Sequence, residues 1–507
     1  MYIVTAEEMY DMDHGAIHDI GIDGRMLMEN AGRAMADRIE TRIGKTDRIR
    51  ILAGSGSNGG YGFVIARTLL NKGYEAVVVQ VVPNEKVTGD ALLHKNLFIR
   101  CGGNVRVTRQ PSEIEVILKE ADVIIDAILG IGTKGMLREP LDEIVPIMNE
   151  LAAYIISADI PSGLPADEGM EDFQAVQADE TVVAEYPKMS VFLESTSAYY
   201  GEWSAVSIGL PKHMPANQVQ RRIWMPEDFQ ATMPERKCNA HKGNHGRGLV
   251  IGGSAEMPGS IAMTSNAALR TGAGLMTVAT PKNVIPVVAS HCMEATYLTL
   301  EDTGGFLNGQ TAIPFDHFDA TVLGMGMGRH EEAGELTEQA VETQCPLIVD
   351  ADGLHHLKPL LERLKDRSGP VVLTPHPGEM AMLLDTSVPE LLKTPFAYTK
   401  MFAEKYQVYV VLKGMSTIIT TPEGMQTVST AGNQGLAKGG SGDVLSGIML
   451  AMIMQPQTVS DALCNACFVH GKAAELLTEE SHSAYDLMAS DVIRGITDVY
   501  RTFLTLP

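Results

Sequence analysis

Short, wholly apolar runs alternate along this chain with longer segments whose apolar residues recur every three or four positions, and glycine-rich turns close many of the runs. Such runs read as strands covered on both faces, and the periodic segments as helices laid against them. In a first series, 49–53 reads as a strand, followed by Gly54-Ser55-Gly56-Ser57-Asn58-Gly59-Gly60 and a helix over about 62–71. Further strands are expected at 76–82, 123–127, 154–158 and 181–184. A second series opens with a strand at 248–251 before Gly252-Gly253-Ser254, and continues through 275–279, 320–323, 347–349, 371–373 and 408–412. The segments 417–421 and 425–429, on either side of Pro422-Glu423-Gly424, predict a hairpin. Strand and helix in alternation, twice over, predict an α/β protein of two doubly wound domains built on parallel sheets.

Between the two series, Gly209-Leu210-Pro211-Lys212-His213-Met214-Pro215 carries chain breakers and no hydrophobic period. The domain boundary is therefore expected near residue 220, giving domains 1–220 and 221–507.

Composition narrows the function. The formal net charge is −23 and no basic patch gathers, which argues against nucleic acid as a partner. An anionic ligand must then be held locally, by backbone amides and a few cations. No membrane association is expected, because the start lacks the basic and apolar parts of a signal peptide and no apolar run is long enough to span a bilayer. Six scattered cysteines are too few for a disulfide framework, and a cytoplasmic location with reduced thiols follows as the expectation. Cys464, Cys467 and His470 have a ligand-like spacing but lie in an alanine-rich helical segment, where a buried helix face is the favoured reading over a metal site.

The most informative stretch is Lys438-Gly439-Gly440-Ser441-Gly442-Asp443, just ahead of the apolar run 444–452. Glycines at a helix N-terminus let backbone amides converge on phosphate, and Asp443 at that turn can take a proton from a substrate hydroxyl. The order G-G-S-G-D resembles the nucleotide-transfer signature of the ribokinase-like superfamily. With it come Asn239-Ala240-His241-Lys242-Gly243, Gly324-Met325-Gly326-Met327-Gly328, Asp350-Ala351-Asp352-Gly353-Leu354, Thr374-Pro375-His376-Pro377-Gly378-Glu379 and Lys413-Gly414-Met415-Ser416-Thr417. In this order, across about 238–447, the set resembles the ADP/ATP-dependent NAD(P)H-hydrate dehydratase family. The resemblance implies a C-terminal ribokinase-like fold, catalysis by Asp443, and hydrate contacts at Ala262, Gly326, His376 and Asp443. It implies ADP or ATP, with Mg2+, at Lys413, Gly414, Met415, Ser416, Thr417 and Gly442. Met325, Met327 and Lys438 depart from the residues more usual in that family.

In the first half the glycine-rich turn, Asp126 and its following loop, and Ser157-Ala158-Asp159-Ile160-Pro161-Ser162-Gly163 all fall at C-terminal ends of expected strands, so they can converge on one crevice. Together with Met28-Glu29-Asn30-Ala31-Gly32, they resemble the NAD(P)H-hydrate epimerase family over about 1–215. The resemblance implies a Rossmann-like three-layer domain and a potassium ion held by Asn58, Asp126 and Ser162 through oxygens, a donor set suited to a hard cation. It implies substrate contacts at Ser57, Asn58, Gly59, Gly60 and Tyr61, at Gly130, Ile131, Gly132, Thr133, Lys134, Gly135 and Met136, and at Asp159. Asp159 is the candidate acid/base, and Lys188 a weaker candidate. Tyr61 stands where the family usually carries an aspartate.

The expected partners are hydrated NADH and NADPH with ADP or ATP, and a homo-oligomer is the expected assembly. The competing expectation is a ribokinase-like small-molecule kinase joined to a non-catalytic ligand-binding or oligomerising module.

Overall fold

Strands rich in valine and isoleucine fill the middle of two sheets, because β-branched side chains suit a pleated surface covered on both faces. The computed structural model describes residues 1–212, 214 and 219–504. His213 and Pro215 of the breaker-rich stretch lie outside the described residues. The chain divides into one unit of residues 2–219 and another of residues 220–507 with Met1.

The first unit holds seven strands: β1 (Arg48–Ala53), β2 (Glu75–Gln80), β3 (Asn104–Val107), β4 (Val123–Ala127), β5 (Tyr154–Ala158), β6 (Glu180–Ala184) and β7 (Glu202–Val206). Their order is β3-β2-β1-β4-β5-β6-β7, and neighbouring strands pair in parallel. Alternate residues supply two cores. Ile51, Val78, Ile125 and Ile156 belong to one apolar cluster, while Leu52, Val79, Ile124 and Ile155 face the other. The sheet is thus covered on both faces, as a Rossmann-like three-layer domain requires.

The helix after β1 spans Ser57–Asn71, so it begins five residues earlier than the apolar period predicts. Its opening turn is glycine-rich because there is no room for side chains. A Cβ on Gly59 would lie 2.2 Å from the Gly54 carbonyl oxygen, and one on Gly60 would lie 2.3 Å from the Met28 sulfur. The edge strands β3 and β7 are partly exposed and lack the apolar runs that revealed the inner strands.

The second unit contains β8 (Arg221–Ile223), β9 (Arg247–Ile251), β10 (Leu275–Pro281), β11 (Thr296–Leu300), a short hairpin of β12 (Asp302–Thr303) and β13 (Phe306–Leu307), β14 (Ala320–Leu323), β15 (Leu347–Val349), β16 (Val371–Leu373), β17 (Tyr409–Leu412), β18 (Thr417–Thr420) and β19 (Gln426–Ser429). The main sheet runs β11-β10-β9-β14-β15-β16-β17-β18-β19-β8. It is mixed rather than wholly parallel, since β18 is antiparallel to both its neighbours. That departure is the hairpin around Pro422-Glu423-Gly424, where a short connection leaves no length for a crossover.

The helices Pro258–Thr271 and Ser441–Ile453 pack closely because Gly447 has no side chain: a Cβ there would lie 2.1 Å from the Thr264 carbonyl oxygen. On the helix Val459–Glu480, Cys464 and Cys467 are buried in the apolar core. Burial pushes the Cys464 thiol up to about 12 and the His470 imidazole down to about 4. Among the described residues no helix is long and apolar enough to cross a membrane.

Candidate active sites

In both sheets the order reverses beside the first long strand, and the strand ends on either side of such a reversal open a crevice. In the first unit the reversal lies between β1 and β4. Their following loops touch: a Cβ on Gly54 would be 2.0 Å from the Ile128 carbonyl oxygen.

Asp126, at the end of β4, is fully buried. Its carboxylate accepts from the Ser157 hydroxyl at 2.9 Å, and from the Ser162 amide and hydroxyl at 2.7 and 2.5 Å. Burial pushes the Asp126 carboxyl up, against the pull of these bonds. Asn58 donates through Nδ2 to the Leu129 carbonyl at 2.5 Å, while its Oδ1 is buried with no partner. The three oxygen-bearing side chains named for a hard cation therefore meet around the Asp126–Leu129 turn, and one of them has an unused acceptor. An unsatisfied buried oxygen of this kind is costly unless something fills its place.

Asp159, beyond β5, has a φ of 67°, a left-handed conformation that a non-glycine residue adopts only where its surroundings compel it. Here the compulsion is visible. The Asp159 amide donates to Val182, while its Oδ1 accepts from the Ala184 amide at 3.0 Å and from the Lys188 ammonium at 2.7 Å. Lys188 is itself 1% exposed and also donates to the Tyr186 carbonyl.

Beside this ion pair lies a cavity of about 630 Å³. Of the residues named from the sequence, Ser57, Asn58, Tyr61, Gly130, Ile131, Gly132, Thr133, Lys134, Met136 and Asp159 line it. Gly59 and Gly60 instead pack inward, and the Gly135 amide points to the Met170 sulfur at 3.2 Å. The cavity wall also includes Tyr10 and Asp13, which sequence reading did not single out.

In the second unit, the C-terminal ends of β14, β15, β16 and β17 carry Gly326, Asp350, His376 and Lys413. Asp350 is the centre. Its carboxylate accepts from the Lys413 ammonium at 2.8 Å and from the Ser446 hydroxyl at 2.6 Å. Burial works against the Asp350 charge, but Lys413 and the Ser446 and Thr374 hydroxyls outweigh it and hold the carboxyl below its usual range. Burial likewise works against the Lys413 ammonium, and Asp350 and Glu379 outweigh it, so Lys413 is pushed up.

Asp443 lies in the first turn of the helix Ser441–Ile453 and faces this pair. Burial first, then the charge of Asp350, pushes the Asp443 carboxyl up to about 6, while a hydrogen bond from Ser260 pulls the other way. Gly440 opens the turn at a φ of 89°, and a Cβ on Gly442 would lie 3.4 Å from the Lys413 nitrogen. Ser260 and Ala262 share the helix Pro258–Thr271, and Gly326, at a φ of 61°, comes against Met257 and Ser260. Ala262, Gly326, Gly442, Asp443 and Lys413 are therefore joined through direct neighbours.

His376 caps the helix Pro377–Leu384, accepting at Nδ1 from the Gly378 and Glu379 amides, and its side chain is 57% exposed. Lys413 through Thr417 form the β17–β18 turn, with Gly414 open and Met415 61% exposed. Asp350 lies within the motif Asp350-Ala351-Asp352-Gly353-Leu354 but was not among the expected site residues. The signal that could have singled it out was an aspartate directly after a buried strand.

Comparison with known proteins bears on both halves. Residues 248–497 match the family model described as NAD(P)H-hydrate dehydratase, and residues 24–190 match that described as YjeF-related protein N-terminus. The chain is 33% identical to the bifunctional NAD(P)H-hydrate repair enzyme Nnr of Moorella thermoacetica over 99% of its own length and 97% of that relative's. It is 32% identical to the enzyme of the same name from Coxiella burnetii, over 93% of this chain and 94% of that one. Among solved structures, the ADP/ATP-dependent NAD(P)H-hydrate dehydratase of Bacillus subtilis, co-crystallized with ATP/Mg2+, shares 34% identity at a TM-score of 0.51. It covers 56% of this chain and 98% of its own.

Proposed function

The chain belongs to the bifunctional NAD(P)H-hydrate repair enzymes, and on that premise we propose how its two sites divide the work. The second unit dehydrates the S form of hydrated NADH or NADPH at the expense of ADP or ATP. The first unit interconverts the R and S forms. The observation that carries the dehydratase assignment is Asp443, a raised carboxyl in the opening turn of a glycine-led helix, facing the Asp350–Lys413 pair.

The substrate carries a hydroxyl on C6 of a tetrahydronicotinamide ring, and hydroxide leaves poorly. Asp443 takes the proton from that hydroxyl as its oxygen attacks the terminal phosphoryl group of the nucleotide. Amides of the Gly439–Gly442 turn and the helix dipole stabilise the phosphate charge. The phosphate then departs as the ring nitrogen forms an iminium, and loss of a neighbouring ring proton restores the dihydropyridine. Lys413 keeps two donors free of Asp350 for nucleotide phosphates, and Ala262 and Gly326 leave room for a flat ring. Among the described residues no three His, Cys, Asp or Glu side chains converge as a metal cage. Mg2+ bound with the nucleotide would neutralise phosphate charge, a role that needs only one or two protein carboxylates.

In the first unit Asn58, Asp126 and Ser162 suit a potassium ion: the unpartnered Asn58 Oδ1 and the buried Asp126 carboxylate both call for a cation. Its charge would neutralise Asp126 and tie the glycine-rich turn to the β4 loop. Asp159, oriented by Lys188, serves as a base at the cavity wall. A cytoplasmic location suits this substrate and the free cysteines.

The test uses the full chain with purified R and S hydrates. With ADP or ATP present, absorbance of reduced nicotinamide should return from the S form directly and from the R form only as fast as epimerisation supplies it. Release of a stable phosphorylated product would support a small-molecule kinase instead. No interconversion above the spontaneous rate, with or without potassium, would remove the epimerase assignment.

A further inference from the structure

The first unit's cavity contains a half-buried carboxyl, Asp13, that nothing described so far uses. Asp13 lies in the last turn of the helix Ala6–Gly15 and lines the cavity with Asp159, Lys188, Tyr10 and Tyr61. Its placement is fixed from several directions. Thr5 and Glu8 form a capping box at the helix start, the Ala6 amide donates to Asp167 at 2.9 Å, and Met9 and Met12 are buried beneath the helix. Just before it, Val4 bridges in parallel to Lys188, with the Val4 amide donating to the Pro187 carbonyl at 3.0 Å. The helix carrying Asp13 and the lysine holding Asp159 are thus tied by one backbone contact.

We propose that Asp13 is a second catalytic residue of the epimerase, acting as the general acid opposite Asp159 as the general base. The inference rests on the assignment of epimerase activity to this unit. In the chemistry it implies, Asp13 gives its proton to the C6 hydroxyl, the C6–O bond breaks, and the ring-nitrogen lone pair forms an iminium as water departs. A water molecule then adds to C6 from the opposite face and gives its proton to Asp159. The proton lost by Asp13 equals the proton gained by Asp159, so return of one proton between them through the cavity resets the site.

The surroundings suit a carboxyl that holds its proton. Burial, then the charge of Asp159, pushes the Asp13 carboxyl up to about 6, against the pull of Lys188 and with a smaller push from Glu185. The groups facing it are Asp159 after β5, Glu185 and Lys188 after β6, Tyr61 of the helix Ser57–Asn71, and Tyr10 on its own helix. Lys188 donates to Asp159 and to the Tyr186 carbonyl, and among the described residues its ion pair is with Asp159 rather than Asp13. Three carboxyls line the cavity: Glu139 is exposed, Asp159 is ion-paired to Lys188, and Asp13 is half-buried without such a partner among the described residues. Asp13 and Asp159 therefore have the contrasting environments that acid/base pairs use.

The experiment measures R-to-S interconversion by the full chain with potassium, for wild type, Asp13→Asn, Asp13→Glu and Asp159→Asn. The first unit's denaturant transition reports that each variant is folded, and dehydration of the S form by the same samples serves as a control on the second unit. The expected result is a fall of ~100-fold or more in epimerisation kcat for Asp13→Asn, with KM and dehydration unchanged and partial activity in Asp13→Glu. Wild-type kcat/KM should fall as pH rises through about 6, and Asp13→Asn should lose that limb. Wild-type kcat in Asp13→Asn beside a dead Asp159→Asn would overturn the role of Asp13 and leave the epimerase assignment standing. A change in KM alone would overturn it in favour of a binding role. An inactive wild type would remove the assignment and this inference together.

Discussion

In the first unit Asp159 is held by Lys188 at 2.7 Å and a second carboxyl, Asp13, faces the pair. In the second unit Asp350 is held by Lys413 at 2.8 Å and Asp443 faces the pair. Two separate sheets thus present the same arrangement: a lysine hydrogen-bonded to one aspartate, and a second aspartate pushed up to about 6. The difference lies in what surrounds the second aspartate. Asp443 sits in the first turn of a glycine-led helix, where amides and dipole favour phosphate. Asp13 sits in the last turn of its helix, where no free amides point outward. The comparison teaches that the carboxyl pair sets the capacity for proton transfer, while the helix end decides whether a phosphoryl group can join it.

The largest effect should come from removing the lysines. Lys413→Met leaves Asp350 buried without its partner, and Lys188→Met does the same to Asp159. Breaking a buried pair typically costs about 3–5 kcal/mol. Denaturant titration should show each variant destabilising its own unit, and an unchanged transition would show that the pair is not what holds its aspartate.

Next comes Asp443→Asn, for which dehydration should fall by ~100-fold or more while R-to-S interconversion persists. Normal dehydration by a folded variant would remove the parallel between the two sites.

The pH profiles sharpen the contrast. As a base, Asp443 must be unprotonated, so dehydration should fall about tenfold per unit as pH drops below about 6. As an acid, Asp13 must be protonated, so interconversion should fall as pH rises above about 6. Limbs of the same sign for both reactions would show that the two carboxyls share one role.

The smallest effect should be that of Tyr61→Phe. Tyr61 lines the cavity and packs against the core beneath it, and its phenol is pushed up by burial and by the nearby Asp159 and Asp13, so it stays neutral. Loss of the hydroxyl should change interconversion by no more than about tenfold, the effect of one neutral hydrogen bond of about 0.5–1.5 kcal/mol. A hundredfold loss would make the tyrosine a participant.

Much of this was legible in the sequence. The inner strands, the hairpin at 417–429 and the glycine turns after β1 and before Asp443 were readable, because a buried parallel strand is a continuous apolar run and a turn pressed against backbone excludes side chains. The partly exposed edges β3 and β7 carry too little pattern to be found. The aspartate pairs were half legible. Asp159 and Asp443 stood in motifs, but Asp13 is 146 residues from Asp159 along the chain and nothing local marks it. Long-range contacts, the pairing of Val4 with Lys188 and the Ala6–Asp167 hydrogen bond among them, bring that helix to the cavity.

The short strand β8 bears on any attempt to work with the second unit alone. It pairs in parallel with β19, Arg221 opposite Gln426 and Ile223 opposite Val428, and the next residue, Trp224, still donates to Val428. A fragment begun at residue 248, where the dehydratase family match starts, would strip this pairing and leave β19 as a bare edge. Bare edges invite strands from other chains and so promote aggregation. A fragment begun at residue 220 keeps β19 paired and leaves as its edge only the three-residue β8. Since very short edge strands resist such pairing, it should stay dispersed at concentrations where the shorter one precipitates.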